Sequence, residues 1–359
     1  MRSKPKMIDA EAFRRFAVEV LQKVGVPTQQ AADTVAPLVW ASLCGIDTHG
    51  VRNLKSYYVD PVINERIKAR AQFTVEFETA MSARADGDNG LGLAAGCWGM
   101  RLAIEKAKAA GIGLVSVRNS NHLGALGFFA ELAVEHDMIG LCMSGHLYAG
   151  GTDRGMAPVF SWQPMFGTNP LSVAIPCGTE PTYVLDMATA VVPVNRVMKA
   201  KEDGRPIPLG WCLDANGRPT TDPAAAKIYL PLGGTRETGA HKGYGLAILV
   251  EVMTALLSDG WSNSSGKGYT QDKIAHFFGA IRIDLFREPG EFKAAMDAML
   301  RSLRQAPPAP GHDRVYTPGE IEHEFARQRR VSGIPLTDQE LRELRELSST
   351  YGVRLELMA

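Results

Sequence analysis

The stretch that decides the fold is GIGLVSVRNSNHLGALGFFAELAVEHDMIGLCMS, residues 111–144. Its residues 112–118 form an apolar run that predicts a strand, and residues 123–136 have the apolar spacing of a helix. Residues 138–145 predict a second strand. A strand, a helix and a strand in succession are typical of an α/β core.

Similar elements continue on both sides of this stretch. Upstream, we expect two helices, one capped by Asp9 and one over residues 28–43, then a pair of strands within residues 74–88. Downstream, strands are predicted at 170–176, 182–188 and 277–286, and a helix at 245–257 that we expect to be buried on most sides. Capping boxes at Thr317/Glu320 and Thr337/Glu340 predict two further helices. The chain is therefore expected to combine an α/β core, residues 79–289, with a helical domain built from residues 1–78 and 290–359.

Composition excludes several classes of protein. The 359 residues carry 39 Lys plus Arg and 39 Asp plus Glu, and this lack of basic excess argues against a nucleic-acid binder. The longest apolar stretch is interrupted by Glu251 and is too short to span a membrane. The five cysteines are widely spaced and form no CxxC pair, which favours a reducing, cytoplasmic setting over a disulfide framework.

Four polar clusters lie at the ends of predicted elements, where catalytic groups are often held. They are Asp47–Arg52, Asn119–Gly124, Asp186–Thr189 and His241–Gly245. In the first cluster, His49 can exchange a proton near neutral pH, Thr48 can orient it, and Arg52 can bind a carboxylate through two parallel hydrogen bonds. The alternative is a solvated loop whose Thr and Asp cap the next helix.

The other clusters leave more than one interpretation open. His122 lies where a strand gives way to a helix, so it can contact an anion or cofactor, or simply hydrogen-bond the turn. Asp186 ends a strand and can cap the following turn or orient a histidine. Lys242 lies between a histidine and a glycine and can reach a phosphate, or can be an ordinary surface lysine.

One apparent motif does not indicate a nucleotide site. Residues 90–96, GLGLAAG, resemble the dinucleotide-binding glycine fingerprint but are one residue too long. A turn precedes them instead of a strand, and no acidic residue ends a second strand at the required distance. We interpret them as a closely packed start of a helix.

Together these clusters resemble the malate/L-lactate (L-sulfolactate) dehydrogenase family over essentially the whole chain. The resemblance rests on residues 45–54, 111–144, 166–176, 184–190, 241–251 and 318–320. It implies a mixed-sheet, non-Rossmann NAD(P)-binding core with helices on both faces, and a homodimer. It also implies hydride transfer between NAD or NADP and a small 2-oxo or 2-hydroxy acid. A cyclic imine carboxylate or a ureidoglycolate-type substrate is the alternative.

The resemblance also implies roles for individual residues. The family's Ser-His pair falls on Thr48 and His49, and the arginine that binds the substrate carboxylate on Arg52; Thr168 and Asn169 lie beside the substrate. The further catalytic candidates are His122 and Asp186. The residues expected to contact the dinucleotide are His122, Gly124, Ser144, His146, Asp186, Met187, Ala188, Lys242, Pro318, Gly319 and Glu320.

The sequence departs from the family pattern at several positions. Thr48 replaces the usual Ser and keeps the hydroxyl. His146 stands where a small polar residue is usual. The DMATA-VVPVNR stretch places Ala190, Pro193, Asn195 and Arg196 where the family has another pattern, which leaves the cofactor and the substrate size open.

Two histidines are candidates for the proton donor. We expect His49 to be the acid, since the positive end of a helix dipole at His122 would disfavour its charged form. No metal is needed for this chemistry. A metal site made of His49, His122 and Asp186 is disfavoured by their wide spacing, and a non-catalytic binding protein by the intact polar set.

Overall fold

The computed structural model describes residues 5–148, 151–152, 155–262, 270–271 and 273–358. The helices are α1 Ala10–Lys23, α2 Thr28–Leu43, α3 Asp60–Ile63, α4 Gly92–Ala110, α5 Gly127–Val134, α6 Val194–Glu202, α7 Ala240–Glu251, α8 Pro289–Arg304, α9 Glu320–Ser332 and α10 Asp338–Tyr351. The strands are β1 Lys6–Ile8, β2 Thr74–Glu78, β3 Ser82–Asp86, β4 Ile112–Ser120, β5 Met138–Gly145, β6 Gly155–Met156, β7 Leu171–Ile175, β8 Tyr183–Met187, β9 Cys212–Leu213, β10 Pro219–Thr220, β11 Ile228–Tyr229, β12 Trp261–Ser262, β13 Thr270–Gln271, β14 Ile274–Arg282 and β15 Ile334–Leu336.

The central sheet of the described residues has seven strands in the order β2-β3-β4-β14-β5-β7-β8. Strand β3 is parallel to β4, whereas β14 is antiparallel to both β4 and β5. Strand β7 is antiparallel to β5 and to β8. The sheet is therefore mixed, as expected, and strands β4 and β5 run in the same direction with β14 between them.

Helices cover both faces of this sheet. On β4, the side chain of Val117 lies near Gly99 of α4. Its neighbour Ser116 instead donates a hydrogen bond to the carbonyl of Thr254, in the π-helical turn that follows α7. Because successive strand residues point to opposite faces, α4 and the α7 segment lie on opposite sides. The α/β class with helices on both faces is thus confirmed.

Residues from the two ends of the chain pack together. Strands β1 and β15 pair antiparallel, and α1 contacts both α2 and α10. Asp9 caps α1, and the capping box at Thr337/Glu340 is present at α10. The apolar core runs continuously from these helices into the sheet. The domain boundaries at 78/79 and 289/290 stay predictions.

Three of the expected helix starts are wrong. The helix expected from residue 245 begins at Ala240, as α7. Helix α5 begins at Gly127, not at residue 123, and the preceding Gly124 has a φ of +67°. Helix α9 begins at Glu320, with Gly319 at the N-cap position. Thr317 donates to the Glu320 carboxylate through both its amide and its hydroxyl, but it does not accept the hydrogen bond that a capping residue accepts.

The expected burial of the 245–257 helix is also wrong. The segment is α7 followed by a π-helical turn, and it carries large apolar side chains that are about half exposed. They are Ile248, Leu249, Leu256 and Leu257, from 42% to 52% exposed. The sequence shows how apolar this helix is, but not what covers it.

Candidate active site

The polar clusters predicted from the sequence converge on one edge of the central sheet. Strands β4, β5 and β8 end at this edge, whereas β7 and β14 begin there, as the registers Ile274↔Ser120, Ala275↔Gly145 and Leu171↔Met187 show. The loops that leave this edge carry His122, His146, Asn169 and Ala188. Strand direction therefore brings together residues that are distant in sequence.

Two imidazoles form the centre of the site. The rings of His49 and His122 are nearly parallel, with an interplanar angle of 13° and centroids 5.7 Å apart. The Thr48 hydroxyl lies 2.8 Å from Nδ1 of His49. The Tyr58 hydroxyl lies 3.0 Å from Nδ1 of His122. Each ring thus has one nitrogen held by a hydroxyl, and its Nε2 has no hydrogen bond within the described residues.

The loop that carries Thr48 and His49 is held from several sides. Ser42, in α2, accepts a hydrogen bond from the Val51 amide. The Asn53 side chain donates to the carbonyl of Thr48. From α9, the Arg329 guanidinium donates to both carboxylate oxygens of Asp47, at 2.5 and 3.1 Å. The C-terminal helices therefore contribute to the geometry of a loop almost three hundred residues earlier.

Burial keeps both histidines neutral. It lowers the pKa of His49 to about 4, with a further contribution from the positive charge of Arg52. It lowers the pKa of His122 to about 3, with smaller contributions from His49 and His276. The helix-dipole explanation for His122 is therefore wrong, since α5 begins five residues later, at Gly127. Both rings are neutral at pH 7.

The guanidinium of Arg52 is available for an anion. Arg52 is exposed, and it is close enough to His49 to lower the pKa of that histidine. It makes no ion pair or hydrogen bond with any part of the chain that the structure describes. A cation without a protein partner beside two imidazoles suits the carboxylate of a substrate.

The tyrosines Tyr57 and Tyr58 were not predicted from the sequence. Both lie in the π-helical turn Leu54–Val59, and π-helical turns are frequent at functional sites. The Tyr57 ring packs against His122 with centroids 4.7 Å apart. Their position five and six residues after Arg52 was the signal available in the sequence. It does not show that they turn towards a histidine about 65 residues later.

Asp186 caps a helix in this structure. Its Oδ2 accepts a hydrogen bond of 2.8 Å from the amide of Gly127, at the start of α5. Neither His49 nor His122 is among its hydrogen-bond partners in the described residues. The structure thus shows neither the cap of the following turn nor a contact with a histidine, but a cap on α5, which comes earlier in the chain. The catalytic role of Asp186 stays a prediction.

Pro318–Glu320 pack against β8, the edge strand that contains Asp186. The Pro318 carbonyl accepts from the amide of Val184 in β8, and a Cβ at Gly319 would come within 3.0 Å of that nitrogen. Glu320 is buried and bonded to Thr317. These contacts anchor α9 to the sheet, and the dinucleotide contact implied for these residues stays a prediction.

A second buried polar group connects the β5 end of the site to α7. Asn169 donates a 2.6 Å hydrogen bond to Oε1 of Glu251, and its own carbonyl oxygen accepts from the amide of His146. The His146 ring lies 4.1 Å from that of Tyr148. Oε2 of Glu251 is buried and has no hydrogen-bond partner among the described residues. The side chain of Asn169 is thus already hydrogen-bonded to other residues of the protein, and its contact with the substrate stays a prediction.

The remaining predicted residues are placed as follows. Thr168 is exposed, and its carbonyl accepts from Thr189. Met187 and Ala188 are half-buried at the end of β8. Gly124 has a positive φ, and a Cβ there would meet Leu93 at 3.0 Å. Lys242 is exposed in the first turn of α7 and makes no side-chain bond with the described residues. Residues 90–96 start α4, where a Cβ at Gly92 would lie 2.2 Å from the Asn121 carbonyl, which confirms close packing.

His276 is a buried histidine that the sequence did not single out. It lies in β14 between two serines, with Nδ1 3.1 Å from the Ser144 hydroxyl and Nε2 2.9 Å from the Ser120 hydroxyl. Burial lowers its pKa to about 3. The hydroxyl of Ser144, a residue implied as a cofactor contact, is therefore hydrogen-bonded to His276 of the central strand β14. Within the described residues no group of three or more His, Cys, Asp or Glu could hold a metal ion.

Glu251 makes the stability of the protein depend on pH. Burial raises its pKa from 4.5 to about 7, although the Asn169 hydrogen bond acts in the opposite direction. Since the folded-state value is the higher one, this group's stabilisation is present below pH 4.5 and is lost as the pH rises towards 7. We expect Glu251→Gln to be more stable than wild type at pH 8, by up to roughly 3 kcal/mol, and nearly equal to it at pH 4.5.

Urea unfolding at the two pH values measures this difference. The exposed Glu19→Gln is the control, and it should unfold like wild type at both. Equal stability of wild type and Glu251→Gln at pH 8 would show that Glu251 is not held in a protonated state.

Comparisons with known proteins agree with this arrangement. The family model described as malate/L-lactate dehydrogenase matches residues 8–345. This chain belongs to that family. It is 38% identical to a malate dehydrogenase of Pyrococcus horikoshii over 94% of this chain and 93% of that protein. It is 32% identical to an L-sulfolactate dehydrogenase of Methanocaldococcus jannaschii, covering 98% of each chain.

A solved structure shows the same fold. The malate dehydrogenase of Entamoeba histolytica superposes with a TM-score of 0.89 at 35% identity, over 98% of this chain and 99% of that one. The chain is therefore an oxidoreductase, a dehydrogenase of hydroxy acids, and its family implies a nicotinamide cofactor. No helix of the described part of the chain is long and apolar enough to cross a membrane.

Proposed function

We propose that this dehydrogenase interconverts a small 2-oxo acid and its 2-hydroxy acid, using NAD or NADP. The observation that carries the proposal is the unpartnered Arg52 beside the stacked His49 and His122. An arginine fork binds a carboxylate in a defined orientation, which would place the adjacent carbonyl oxygen towards the imidazoles.

The chain has polar groups suited to a nicotinamide dinucleotide. Lys242, at the start of α7, is a cation without an ion pair among the described residues, which suits a diphosphate. Oε2 of Glu251 is a buried polar atom without a partner in the described residues, which suits a polar group of the ligand. His146 and Ala188 would line the same edge. When bound, the cofactor supplies or takes up the hydride.

The side chains would do the rest of the chemistry. Arg52 binds the carboxylate, and His49 gives a proton to the carbonyl oxygen during reduction or takes it from the hydroxyl during oxidation. In the substrate-free protein, Arg52 helps to hold the pKa of His49 low. A carboxylate bound to Arg52 offsets that charge, so substrate binding raises the pKa of His49 towards the range in which it can donate. Thr48 keeps its ring oriented through Nδ1.

The direct test of this function is a panel of substrates. We expect pyruvate, oxaloacetate, sulfopyruvate and other 2-oxo acids to be reduced with NADH or NADPH, and one cofactor to be preferred. A cyclic imine carboxylate and ureidoglycolate, in the oxidation direction, cover the alternative substrates. Stoichiometric oxidation of the cofactor, followed at 340 nm, is the measurement. A lack of turnover with every substrate, despite cofactor binding, would contradict the proposal.

We further propose a homodimer in which a second copy covers the apolar side of the α7 segment. Leu249, Leu256 and Leu257 are 45–52% exposed there, and exposed apolar patches of this kind mark protein contacts. We expect light scattering to give twice the chain mass, and Leu249→Glu to give the monomer mass. Val331→Glu, in α9 at a position that is 83% exposed, is the control and should leave the mass unchanged. A wild-type monomer would contradict this proposal.

A cytoplasmic location is also proposed. All five cysteines are free thiols, and burial raises the pKa of Cys44 to about 12. Unreactive, unpaired thiols are typical of proteins in a reducing compartment.

A further inference from the structure

The hydroxyl of Tyr58 is hydrogen-bonded to Nδ1 of the His122 ring. Tyr58 is 1% exposed, and its hydroxyl lies 3.0 Å from Nδ1. This is its only hydrogen bond in the described part of the chain. A buried phenol must donate its proton in this hydrogen bond, because otherwise the proton has no acceptor.

The direction of the hydrogen bond follows from this accounting. If Nδ1–H donated to the tyrosine oxygen, the phenolic proton would be buried without an acceptor. If the tyrosine donates, both groups are satisfied and the single proton of the neutral ring lies on Nε2. Burial raises the pKa of Tyr58 far above its usual value, so the hydroxyl stays protonated and keeps donating.

No charged side chain of the described residues is hydrogen-bonded to the His122 ring. The groups facing the ring are the neutral His49 at 5.7 Å, the Tyr57 ring at 4.7 Å, and His276, whose two nitrogens are bonded to serines. Arg52 is a cation close to His49, and it disfavours a positive charge on the His49 ring. The tautomer of His122 is thus set by Tyr58.

We propose that Tyr58 is a positioning residue that holds His122 as the neutral Nε2–H tautomer, a hydrogen-bond donor towards the substrate oxygen. This inference rests on the proposed function for its catalytic consequence, but not for the tautomer itself. A neutral donor stabilises the charge that develops on the oxygen, while His49 transfers the proton. The two histidines then have different tasks, which are set by the different hydroxyl groups bonded to them.

The test compares two adjacent tyrosines. Tyr58→Phe removes the hydroxyl at Nδ1, whereas Tyr57→Phe removes a hydroxyl that has no hydrogen bond in the described residues and keeps the ring against His122. In ¹⁵N-histidine spectra of the substrate-free protein, with His122 assigned from its Asn variant, we expect wild type and Tyr57→Phe to show an unprotonated Nδ1 and a protonated Nε2. Tyr58→Phe should show a mixture of tautomers.

Kinetics provide the second measurement. We expect Tyr58→Phe to lower kcat about tenfold to a hundredfold with unchanged cofactor Kd. Tyr351→Phe, at the end of α10 and outside the site, should change kcat less than threefold. A wild-type spectrum with the proton on Nδ1, or equal kcat in the two variants, would overturn the inference. If Tyr58→Phe does not fold, the wild-type spectrum alone decides the tautomer. The expected spectrum in a protein without activity towards any oxo acid would support the tautomer and reject the proposed function.

Discussion

His49→Asn should lower the kcat for oxo-acid reduction by about 10²–10⁴, the usual cost of removing a general acid. In wild type, His49 must be protonated to act, so kcat for reduction should fall as the pH rises through its pKa in the substrate complex. Without substrate, burial and Arg52 hold that pKa at about 4. The variant should lose this pH-dependent limb and keep its affinity for the cofactor. Steady-state kinetics from pH 5 to 9 and cofactor titration measure both.

Two variants control for this effect. His312→Asn changes an exposed histidine in the loop before α9 and should behave as wild type. His122→Asn should lower kcat as well, but leave the pH-dependent limb in place and weaken cofactor binding. The opposite result, with the limb lost in His122→Asn and kept in His49→Asn, would reverse the two roles.

Removal of the Arg52 fork should have the second largest effect. Arg52→Lys keeps a positive charge but loses the two parallel hydrogen bonds to a carboxylate. Charge-assisted hydrogen bonds contribute about 1.5–3 kcal/mol each, so kcat/KM for the oxo acid should fall about 10–100-fold, mainly through KM. The Kd of the cofactor should stay near the wild-type value.

Removing the charge of Arg52 as well as its fork extends the same prediction. Arg52→Met removes the charge as well, and we expect a further loss in kcat/KM together with a higher pKa of His49, since the neighbouring cation is gone. Arg66→Lys, on an exposed loop, is the control for charge-preserving substitution. An equal loss of oxo-acid and cofactor affinity in Arg52→Lys would place the guanidinium on the cofactor instead.

Much of the fold could be predicted from local sequence. Residues 112–118 and 138–145 alternate or run as apolar strands, and they form β4 and β5 within two residues of the expected limits. Asp9 and the Thr337/Glu340 pair cap their helices because such side chains satisfy free backbone amides wherever they occur. The start of α5 could not be found in this way, because Gly124 takes a positive φ that apolar spacing does not reveal.

The residue types of the site were also visible in the sequence, but not their partners. Thr48, His49 and Arg52 lie on one short loop, so their proximity follows from the chain itself. The sequence left open whether Asp186 would cap the following turn or orient a histidine. Packing instead places the amide of Gly127, at the start of α5, 2.8 Å from its carboxylate. The same holds for Asn169, which contacts Glu251 of α7, eighty-two residues away.

By itself, the sequence determined the α/β class, the family and the set of polar groups available for chemistry, because these depend on local spacing and motifs. Only the tertiary structure decided that His49 stacks on His122, that Tyr58 bonds to Nδ1, and that His276 lies buried between Ser120 and Ser144. The contacts of His276 arise from the pairing of β14 with β4 and β5, whereas His49 and Tyr58 lie in helical turns that pack against the loop after β4. Contacts between segments far apart in the chain leave no short-range periodicity in the sequence, and for that reason the partners of the catalytic groups appear only in the folded chain.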